Sequence, residues 1–350
     1  MELSKKQLEI VSTTQNAVVV CAAAAAGKTQ VLTERVRHLL NSGVNPKEVV
    51  VITFTNAAAD ELQERLNNPE GLFVGTIHSY ANYLLRADGY DTSKILEDEK
   101  FNKLFKEVKK RPNCIKFVSH LLLDEAQDST PQQFEFLLNM IQPKNYMLVG
   151  DVRQSIYRWA GAYPDYLIDL MEQPEVTTYD LNENYRNGED ILRFAKSIIT
   201  LAGYSYKDNS IAMRGARGRV VEVEYSPNAI ARTLAEYEGN YNDWFIITRA
   251  NSEIEEMCGY LGKYDIPYTT FKKACLSAKE LKERMSSNTV KVLTIHTSKG
   301  LEAKNVIVIG ARFSTLEDKC ISYVAATRAK DLLVWTHKVR RKNSKLENWE

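Results

Sequence analysis

The stretch Ala17-Val-Val-Val-Cys-Ala-Ala-Ala-Ala-Ala-Gly-Lys-Thr29 decides the fold of this chain of 350 residues. Residues 17–21 form an apolar run that predicts a buried parallel strand, and apolar residues recur at helical spacing after Thr29. A strand, a glycine-containing loop and a helix in this order predict a phosphate-binding loop. In such a loop backbone N–H groups surround a phosphate, Lys28 reaches the β and γ oxygens, and the Thr29 hydroxyl binds magnesium.

The middle of the loop is unusual because it consists of alanine. The common pattern opens with glycine, whereas the positions before Gly27 are Ala22, Ala23, Ala24, Ala25 and Ala26. Alanine is the strongest helix former, so the alternative interpretation is the start of an alanine-rich helix.

Composition sets the class of protein. Hydrophobic residues make up 44% of the chain and charged residues 26%, which is typical of a globular protein with two domains or one large one. The net charge of +1 requires any nucleic-acid partner to be held by local basic clusters. Five scattered cysteines without metal-ligand spacing predict reduced thiols in the cytoplasm. Without a signal core or a run of membrane-spanning length, we expect no membrane partner.

An acidic pair follows the apolar strand that ends at Leu123. Beside a phosphate loop, Asp124 is expected to hold magnesium and Glu125 to orient or deprotonate the attacking water. Adjacent carboxylates repel each other, so their placement is costly without a cation.

Other strand ends carry side chains suited to nucleic acid or nucleotide. Strands are predicted at 49–55 and 72–76, and Phe54 and Tyr80 beside them can stack on bases, although for any single aromatic a place in the core is the favoured interpretation. After the strand 146–149, Gln154 can sense a γ-phosphate and Trp159 can stack on a base. A helix is predicted over 94–110, whose lysines either contact a nucleic-acid backbone or form a solvated face.

The second half repeats the alternation of strands and helices, which predicts a second α/β sheet. We place the boundary between residues 183 and 184, giving domains 1–183 and 184–350. A basic tail follows at 338–345.

The ordered motifs resemble those of superfamily-one DNA helicases of the UvrD/Rep type. They are Gln7, Ala22-x4-Gly-Lys-Thr29, Thr53-Phe-Thr-Asn-x-Ala-Ala, Gly75-Thr-x-His78, Asp124-Glu-x-Gln-Asp128, Gly150-Asp-x-x-Gln-Ser-Ile-Tyr-x-Trp159, Asn184-Tyr-Arg186, His296-x-x-Lys-Gly-Leu-Glu302 and Tyr323-Val-x-x-Thr-Arg328. The resemblance spans nearly the whole chain. It implies two RecA-like P-loop NTPase domains with parallel sheets and an ATP cleft between them.

The resemblance also implies roles for single residues. Gln7 would read adenine, Tyr185 would stack on it, and Glu302 would lie near the ribose. Catalysis would involve Lys28, Glu125, Gln154, Arg186 and Arg328, the last two as arginine fingers. Thr29 and Asp124 would bind Mg²⁺. The positions matched to the DNA strand are Phe54, Thr55, His78, Trp159, Thr294 and His296, together with Tyr80.

The sequence departs from the family pattern in three respects, one of which is that Val152 and Ala160 replace polar or charged residues common in the third motif. Glycines are usual at positions 23 and 25, so we expect strained alanines there and nucleotide binding weakened by about 1–2 kcal/mol per site. The accessory inserts of each domain are reduced to 86–120 and 271–288. We therefore expect ATP-dependent translocation on single-stranded DNA, 3′ to 5′ by resemblance, with single-strand/duplex junctions as a further substrate and a protein partner for duplex engagement. The alternative is a nucleotide-gated single-stranded DNA-binding subunit with little or no hydrolysis.

Overall fold

Two six-stranded sheets, in which every strand pairs in parallel, form the framework of the chain. The computed structural model describes residues 2–200, 208–214, 218–271 and 278–337. The described residues divide into a first unit, 2–185 with 208–213 and 278–282, and a second unit, 186–200, 214, 218–271 and 283–337. The α/β class with parallel sheets is confirmed, and the domain limits stay a prediction.

The first sheet has the strand order β3-β2-β4-β5-β1-β6. Its strands are β1 (Ala17–Ala22), β2 (Val49–Thr53), β3 (Phe73–Thr76), β4 (His120–Leu123), β5 (Asn145–Gly150) and β6 (Thr177–Leu181). A separate two-stranded sheet pairs β7 (Glu183–Asn184) with β8 (Ile211–Ala212).

The helices of the first unit cover the first sheet. They are α1 (Lys5–Val11), α2 (Lys28–Asn41), α3 (Asn56–Arg65), α4 (Ile77–Ala87), α5 (Ser93–Glu97), α6 (Asn102–Lys110), α7 (Pro131–Phe134) and α8 (Asp165–Met171). A π-helical segment, Glu135–Met140, continues α7.

The second sheet has the strand order β11-β12-β10-β13-β14-β9. Its strands are β9 (Arg219–Glu224), β10 (Trp244–Thr248), β11 (Tyr268–Thr270), β12 (Val290–Thr294), β13 (Ala303–Ile309) and β14 (Ala329–His337). The remaining helices are α9 (Glu189–Thr200), α10 (Pro227–Ala235), α11 (Asn251–Lys263), α12 (Ala278–Ser286) and α13 (Leu316–Ala326). The basic tail 338–345 and part of the reduced insert at 271–288 lie outside the described residues.

The register of the first sheet brings the motif-bearing strand ends to one edge. Cys21 of β1 pairs with Gly150 of β5, and Leu123 of β4 pairs with Leu148 of β5. Because the strands are parallel, the segments that follow β1, β4 and β5 leave the sheet on the same side. The interior strands β1, β2, β4 and β5 are apolar at nearly every position, since helices cover both faces of a parallel sheet.

The predicted helix over 94–110 is two helices, and the prediction of one continuous helix is wrong. Glu99 has a left-handed backbone with φ 52°, and the Lys100 N–H donates to the Ile95 carbonyl, which ends α5. Helix α6 then starts afresh and buries Leu104, Phe105 and Val108. The spacing of apolar residues did not reveal this break, because Ile95 and Leu96 of α5 are only half-buried and mark no separate buried face.

Two further features of the described residues are the state of the cysteines and the character of the helices. Within the described residues Cys21, Cys114, Cys258 and Cys320 form no disulfide, and Cys275 lies outside those residues. Within the described ranges no helix has both the length and the apolar character needed to cross a membrane.

Candidate nucleotide and nucleic-acid site

The alanine stretch forms a loop and not the beginning of a helix. Strand β1 ends at Ala22, helix α2 begins at Lys28, and Gly27 before it has φ 81°. Ala25 has a left-handed backbone with φ 57°, whereas Ala23 is not among the described residues with positive φ. The expectation of strain is therefore wrong for Ala23 and holds for Ala25.

Protein groups hold the loop carbonyls on one side. Asn184 Nδ2 donates to the Ala24 carbonyl at 2.9 Å, the Tyr185 N–H donates to the Ala25 carbonyl at 3.1 Å, and Gln7 Nε2 donates to the Ala26 carbonyl at 3.1 Å. A peptide C=O and the following N–H point in opposite directions. By this geometry the N–H groups of Ala25 and Gly27 point away from these partners, as in loops that bind phosphate, whereas the Ala26 N–H donates to the Ala23 carbonyl at 3.2 Å inside the loop.

Gln7 is buried against the loop. Its Oε1 accepts from the Ser4 N–H at 2.9 Å in a capping box, and its side chain is 3% exposed. A Cβ on Gly27 would lie 2.9 Å from Gln7 Nε2, so glycine permits this close approach. The structure thus places Gln7 as a support of the phosphate loop, and its recognition of adenine stays a prediction. The Tyr185 hydroxyl donates to Glu183.

Two oxygen ligands suited to Mg²⁺ lie side by side. Thr29 Oγ1 donates to Asp124 Oδ2 at 3.1 Å, next to Lys28, which begins the same helix. Burial, reinforced by the neighbouring Glu125, raises the pKa of Asp124 to about 6. A buried carboxyl whose charged form is disfavoured gains from a cation, and hydroxyl and carboxylate oxygens suit Mg²⁺, so the residues fit this ion. When bound, Mg²⁺ would neutralise phosphate charge.

Glu125 is held in a conformation that a non-glycine residue adopts at a cost. Its φ is 50°, and its N–H donates to Asp124 Oδ1 at 2.9 Å. Gln127 Nε2 donates to the Glu125 carboxylate. Backbone strain of this kind is maintained only where surrounding contacts enforce it, and it concentrates at functional sites.

Gln127 also connects Glu125 to the loop that bears Gln154. Gln127 Oε1 accepts from the Asp151 N–H at 2.9 Å, and Gln154 Nε2 donates to Asp151 Oδ2 at 2.7 Å. A Cβ on Gly150 would lie 2.6 Å from Gln127 Oε1. Gln127 was not among the predicted site residues. The signal was its position two residues after Glu125, inside the acidic motif.

A buried ion-pair network lies behind Gln154. Arg153 Nε donates to Asp151 Oδ1 at 2.6 Å, and Arg153 Nη1 lies 3.1 Å from Asp208 Oδ1. The side chains of Arg153 and Asp208 are each 2% exposed. Asp208 precedes β8 in the first unit, so its distance from Arg153 in sequence hid this pair from sequence analysis.

A cavity of about 230 Å³ contains both acidic and aromatic side chains. Asp124 and Glu125 line it together with Phe54, His78 and Tyr157. Phe54 stacks on Tyr157 with centroids 5.0 Å apart, and Trp159, which is 65% exposed, lies 6.4 Å from Tyr157. The aromatic surface formed by Phe54, Tyr157 and Trp159 has the faces that stack on bases. Tyr157, two residues before Trp159, was not among the predicted site residues.

Two predicted DNA contacts have other tasks in the structure. Tyr80 is 2% exposed and packs against Phe73 and Phe136, so the prediction that it stacks on a base is wrong. Its hydroxyphenyl ring fills the core beneath α4, and burial raises its pKa. The Thr55 hydroxyl accepts from the Ala58 N–H and caps α3.

The second unit contains a compact charge cluster. The Arg186 guanidinium donates to Glu302 and to the Thr327 carbonyl, and Lys330 Nζ lies 2.6 Å from the other Glu302 oxygen. Burial would raise the pKa of Glu302, but the Arg186 charge and the Lys330 contact outweigh it and hold the pKa at about 2. Glu302 therefore carries a full negative charge at neutral pH and fixes Arg186. Its contact with ribose stays a prediction.

Arg328 is anchored inside the second unit. It is 2% exposed and donates to the Val324 carbonyl at 2.9 Å, the Leu301 carbonyl at 3.2 Å and Thr327 Oγ1 at 3.1 Å. Its role as an arginine finger stays a prediction. In the structure it also satisfies two carbonyls and a hydroxyl of the second unit.

The carboxyl ends of β10 and β12 carry further candidates. Arg249, which sequence analysis missed, directly follows β10 and pairs with Asp318, while its buried Nη1 has no hydrogen-bond partner among the described residues. An arginine directly after a central strand was the available signal. Thr294 ends β12, and its hydroxyl accepts from the Thr297 N–H at 3.2 Å in the turn that contains His296.

Two family models match the chain. Residues 3–115 and 99–175 match the UvrD/REP helicase N-terminal domain, and residues 271–339 match the UvrD-like helicase C-terminal domain. Together the matches cover more than half of the 350 residues.

Curated relatives show the same similarity. The chain is 25% identical to "ATP-dependent DNA helicase PcrA" of Leuconostoc citreum, over 76% of this chain and 49% of the relative. It is 24% identical to "Probable DNA helicase" of Mycoplasma pneumoniae, over 95% of this chain and 82% of the relative. It is 24% identical to "ATP-dependent DNA helicase Rep" of Escherichia coli, over 77% of this chain and 55% of the relative. The chain spans about half the length of most of these relatives.

Proposed function

Because the chain belongs to the UvrD/REP helicase family, we propose that it is an ATP-dependent translocase on single-stranded DNA with helicase activity and 3′ to 5′ polarity. Its two parallel sheets are the RecA-like P-loop folds of this family. The proposed substrates are ATP with Mg²⁺ and single-stranded DNA, including its junctions with duplex, and the proposed location is the cytoplasm.

One observation carries the proposal. The cavity of about 230 Å³ is lined both by Asp124 and Glu125, which suit phosphate hydrolysis, and by Phe54 and Tyr157, which suit base stacking. A strand that stacks there lies beside the carboxylate that handles the attacking water. Hydrolysis and the hold on DNA can then affect each other directly.

Gln127 provides a second path for this coupling. It contacts the Glu125 carboxylate through Nε2 and the Asp151 N–H through Oε1, and Asp151 holds Gln154. A shift of Gln154 on loss of the γ-phosphate would therefore move Glu125 through three hydrogen bonds in series. We propose Lys28, Glu125, Gln154, Arg186 and Arg328 as the residues that act on the triphosphate.

The test is ATP turnover by the full chain with and without oligo(dT), for the unaltered protein and Glu125→Gln. We expect DNA to stimulate turnover, and the variant to lose about 10²- to 10⁴-fold while it still binds the strand. Glu135→Gln makes the same charge change at an exposed position and should behave like the unaltered protein.

Two outcomes would contradict the proposal. If DNA left ATP turnover unchanged, hydrolysis would not be coupled to DNA binding. Nucleotide-dependent DNA binding without turnover would favour the alternative, a nucleotide-gated single-stranded DNA-binding subunit.

A further inference from the structure

A shallow groove of about 580 Å³ lies beside α6 in the first unit. We call it the α6 groove; its lining includes His78, Lys100, Phe101, Lys103, Lys106 and Gln132. His78 also lines the cavity beside Glu125, so the two depressions meet at this imidazole.

The wall of the α6 groove is fixed by packing. Leu104 and Phe105 on the opposite face of α6 are buried, and Phe105 stacks on His78 with centroids 5.0 Å apart and ring planes 19° apart. His78 Nε2 lies 3.1 Å from Asn102 Oδ1 at the start of α6. A wall built on packed helices presents its side chains in a defined arrangement.

Among the described residues, Lys100 of the α6 groove pairs with Asp98, whereas the two groove lysines on α6 lack the ion pairs that the other lysines of this helix make. Lys109 pairs with Glu135, and Lys110 pairs with Glu107. Lys103 and Lys106, three residues apart, have no ion pair within the described ranges. Among the described residues of the lining the only acidic side chain is Glu99. Neighbouring like charges repel each other, so Lys103 and Lys106 together favour an anionic partner such as a phosphate.

An exposed aromatic ring accompanies these lysines. Phe101 is 41% exposed, and its ring centroid lies 5.8 Å from that of His78. Aromatic faces next to cationic side chains are the combination by which proteins hold single strands, with bases stacked on rings and phosphates near the cations. Paired bases of a duplex do not offer their faces to such a ring.

We propose that the α6 groove is a second subsite for single-stranded DNA, continuous through His78 with the cavity beside Glu125. Bases stack on Phe101, and Lys103 and Lys106 hold two backbone phosphates. This inference rests on the proposed function, and it assigns to the reduced insert a hold on the strand that is separate from the aromatic surface.

The test compares two double variants of the same helix by fluorescence anisotropy with oligo(dT) over a salt series. Lys103→Ala/Lys106→Ala should lower the slope of log affinity against log salt by about 1.4, since each phosphate contact contributes about 0.7. Lys109→Ala/Lys110→Ala removes the same charge outside the groove and should leave the slope unchanged. Phe101→Ala should weaken binding about 5- to 150-fold.

The outcomes separate the subsite from the proposed function. Equal slope changes in both double variants would show a general electrostatic effect and overturn the subsite. If the groove variants lost affinity for a hairpin duplex but not for oligo(dT), the groove would bind duplex DNA, and the proposed single-stranded occupant would be wrong. Unaltered protein that neither binds oligo(dT) nor hydrolyses ATP would overturn the proposed function and the subsite together. Active protein with unchanged groove variants would overturn the subsite alone. Melting curves of all variants verify that they fold.

Discussion

Two non-glycine residues at the edge of the first sheet have left-handed backbones, Ala25 in the phosphate loop and Glu125 after β4. In both cases neighbouring groups enforce the conformation, Asn184 and the Tyr185 N–H around the loop and Gln127 at Glu125. Because the protein's own contacts set the shape of the loop, the cost of the left-handed alanine falls on folding and not on nucleotide binding.

Ala25→Gly should therefore stabilise the protein by about 0.5–1 kcal/mol, the relief of strain less the entropy of glycine in the unfolded chain. Ala23→Gly should destabilise it by about 1 kcal/mol, because Ala23 is fully buried and unstrained. Urea unfolding measures both changes. ATP affinity should remain the same in both variants, and tighter binding by Ala25→Gly would show that the loop is shaped by the nucleotide.

The two arginines of the second unit should differ when each is replaced by alanine. Arg186→Ala should lower ATP turnover by about 10³-fold with little loss of stability. Arg328→Ala should lower turnover and also destabilise the protein by about 1–3 kcal/mol, because buried carbonyls lose their donor. Turnover and thermal unfolding separate the two effects. Full activity in both variants would remove these residues from the catalytic set.

Sequence reasoning located single residues well where a motif ties chemistry to a strand end. Thr29 and Asp124, predicted from separate motifs, lie in hydrogen-bond contact, and their shared magnesium role stays a prediction. It failed for Tyr80, because the sequence cannot tell an aromatic that points into the core from one on the surface. Gln127 was missed because its role depends on two hydrogen bonds, from its Nε2 to Glu125 and to its Oε1 from the Asp151 N–H, which only the folded structure shows.

At the scale of elements, the network of Asp151, Arg153 and Asp208 fixes the segment before β8 against the loop after β5. Asp151 bonds to Arg153 through one oxygen and to Gln154 through the other. The orientation of Gln154 thus depends on a residue more than 50 positions away in the chain. We infer that Asp208 positions Gln154 through Arg153 and Asp151.

Asp208→Ala should destabilise the protein by about 3–5 kcal/mol, because Arg153 would keep a buried charge without this partner. Asp165→Ala breaks the more exposed pair with Arg158 and should cost about 0–1 kcal/mol. Urea unfolding of both variants gives the comparison. Equal effects would mean that the buried pair contributes no more than a surface pair.

Strands were more predictable than helix breaks. Parallel strands buried on both faces appear as continuous apolar runs, such as residues 17–21 and 121–123, and the structure has strands there. The break between α5 and α6 depends on a left-handed Glu99, which no sequence pattern signals for a glutamate. The two-residue pairing of β7 with β8 joins segments too short to show periodicity.

At the scale of the whole molecule, the chain is shorter than its relatives within its matched region. The alignment with the Leuconostoc relative has 369 positions, more than the 350 residues of this chain, although it covers only 76% of them. The relative therefore contains internal segments that this chain lacks. That these segments correspond to the inserts reduced at 86–120 and 271–288 stays a prediction.

We therefore predict that the chain moves along single strands but separates long duplexes poorly as a monomer. A translocase without large inserts has little surface for holding a duplex ahead of it. Streptavidin displacement from biotinylated oligonucleotides measures translocation, and a fluorescent forked duplex measures strand separation. Processive unwinding by dilute monomer would refute this prediction, and unwinding that appears only with an added protein would identify the proposed partner.

The placement of residues 208–213 decides how the molecule can be cut. They belong to the first unit although the described stretches on both sides, 186–200 and 218–271, belong to the second. A fragment that ends at residue 185 would keep β7 but lose β8, and would keep Arg153 but lose Asp208. Expression of the two halves as separate proteins would thus leave a buried arginine without one of its carboxylates. A nucleotide-binding fragment would need residues 208–213 grafted after residue 185 through a linker.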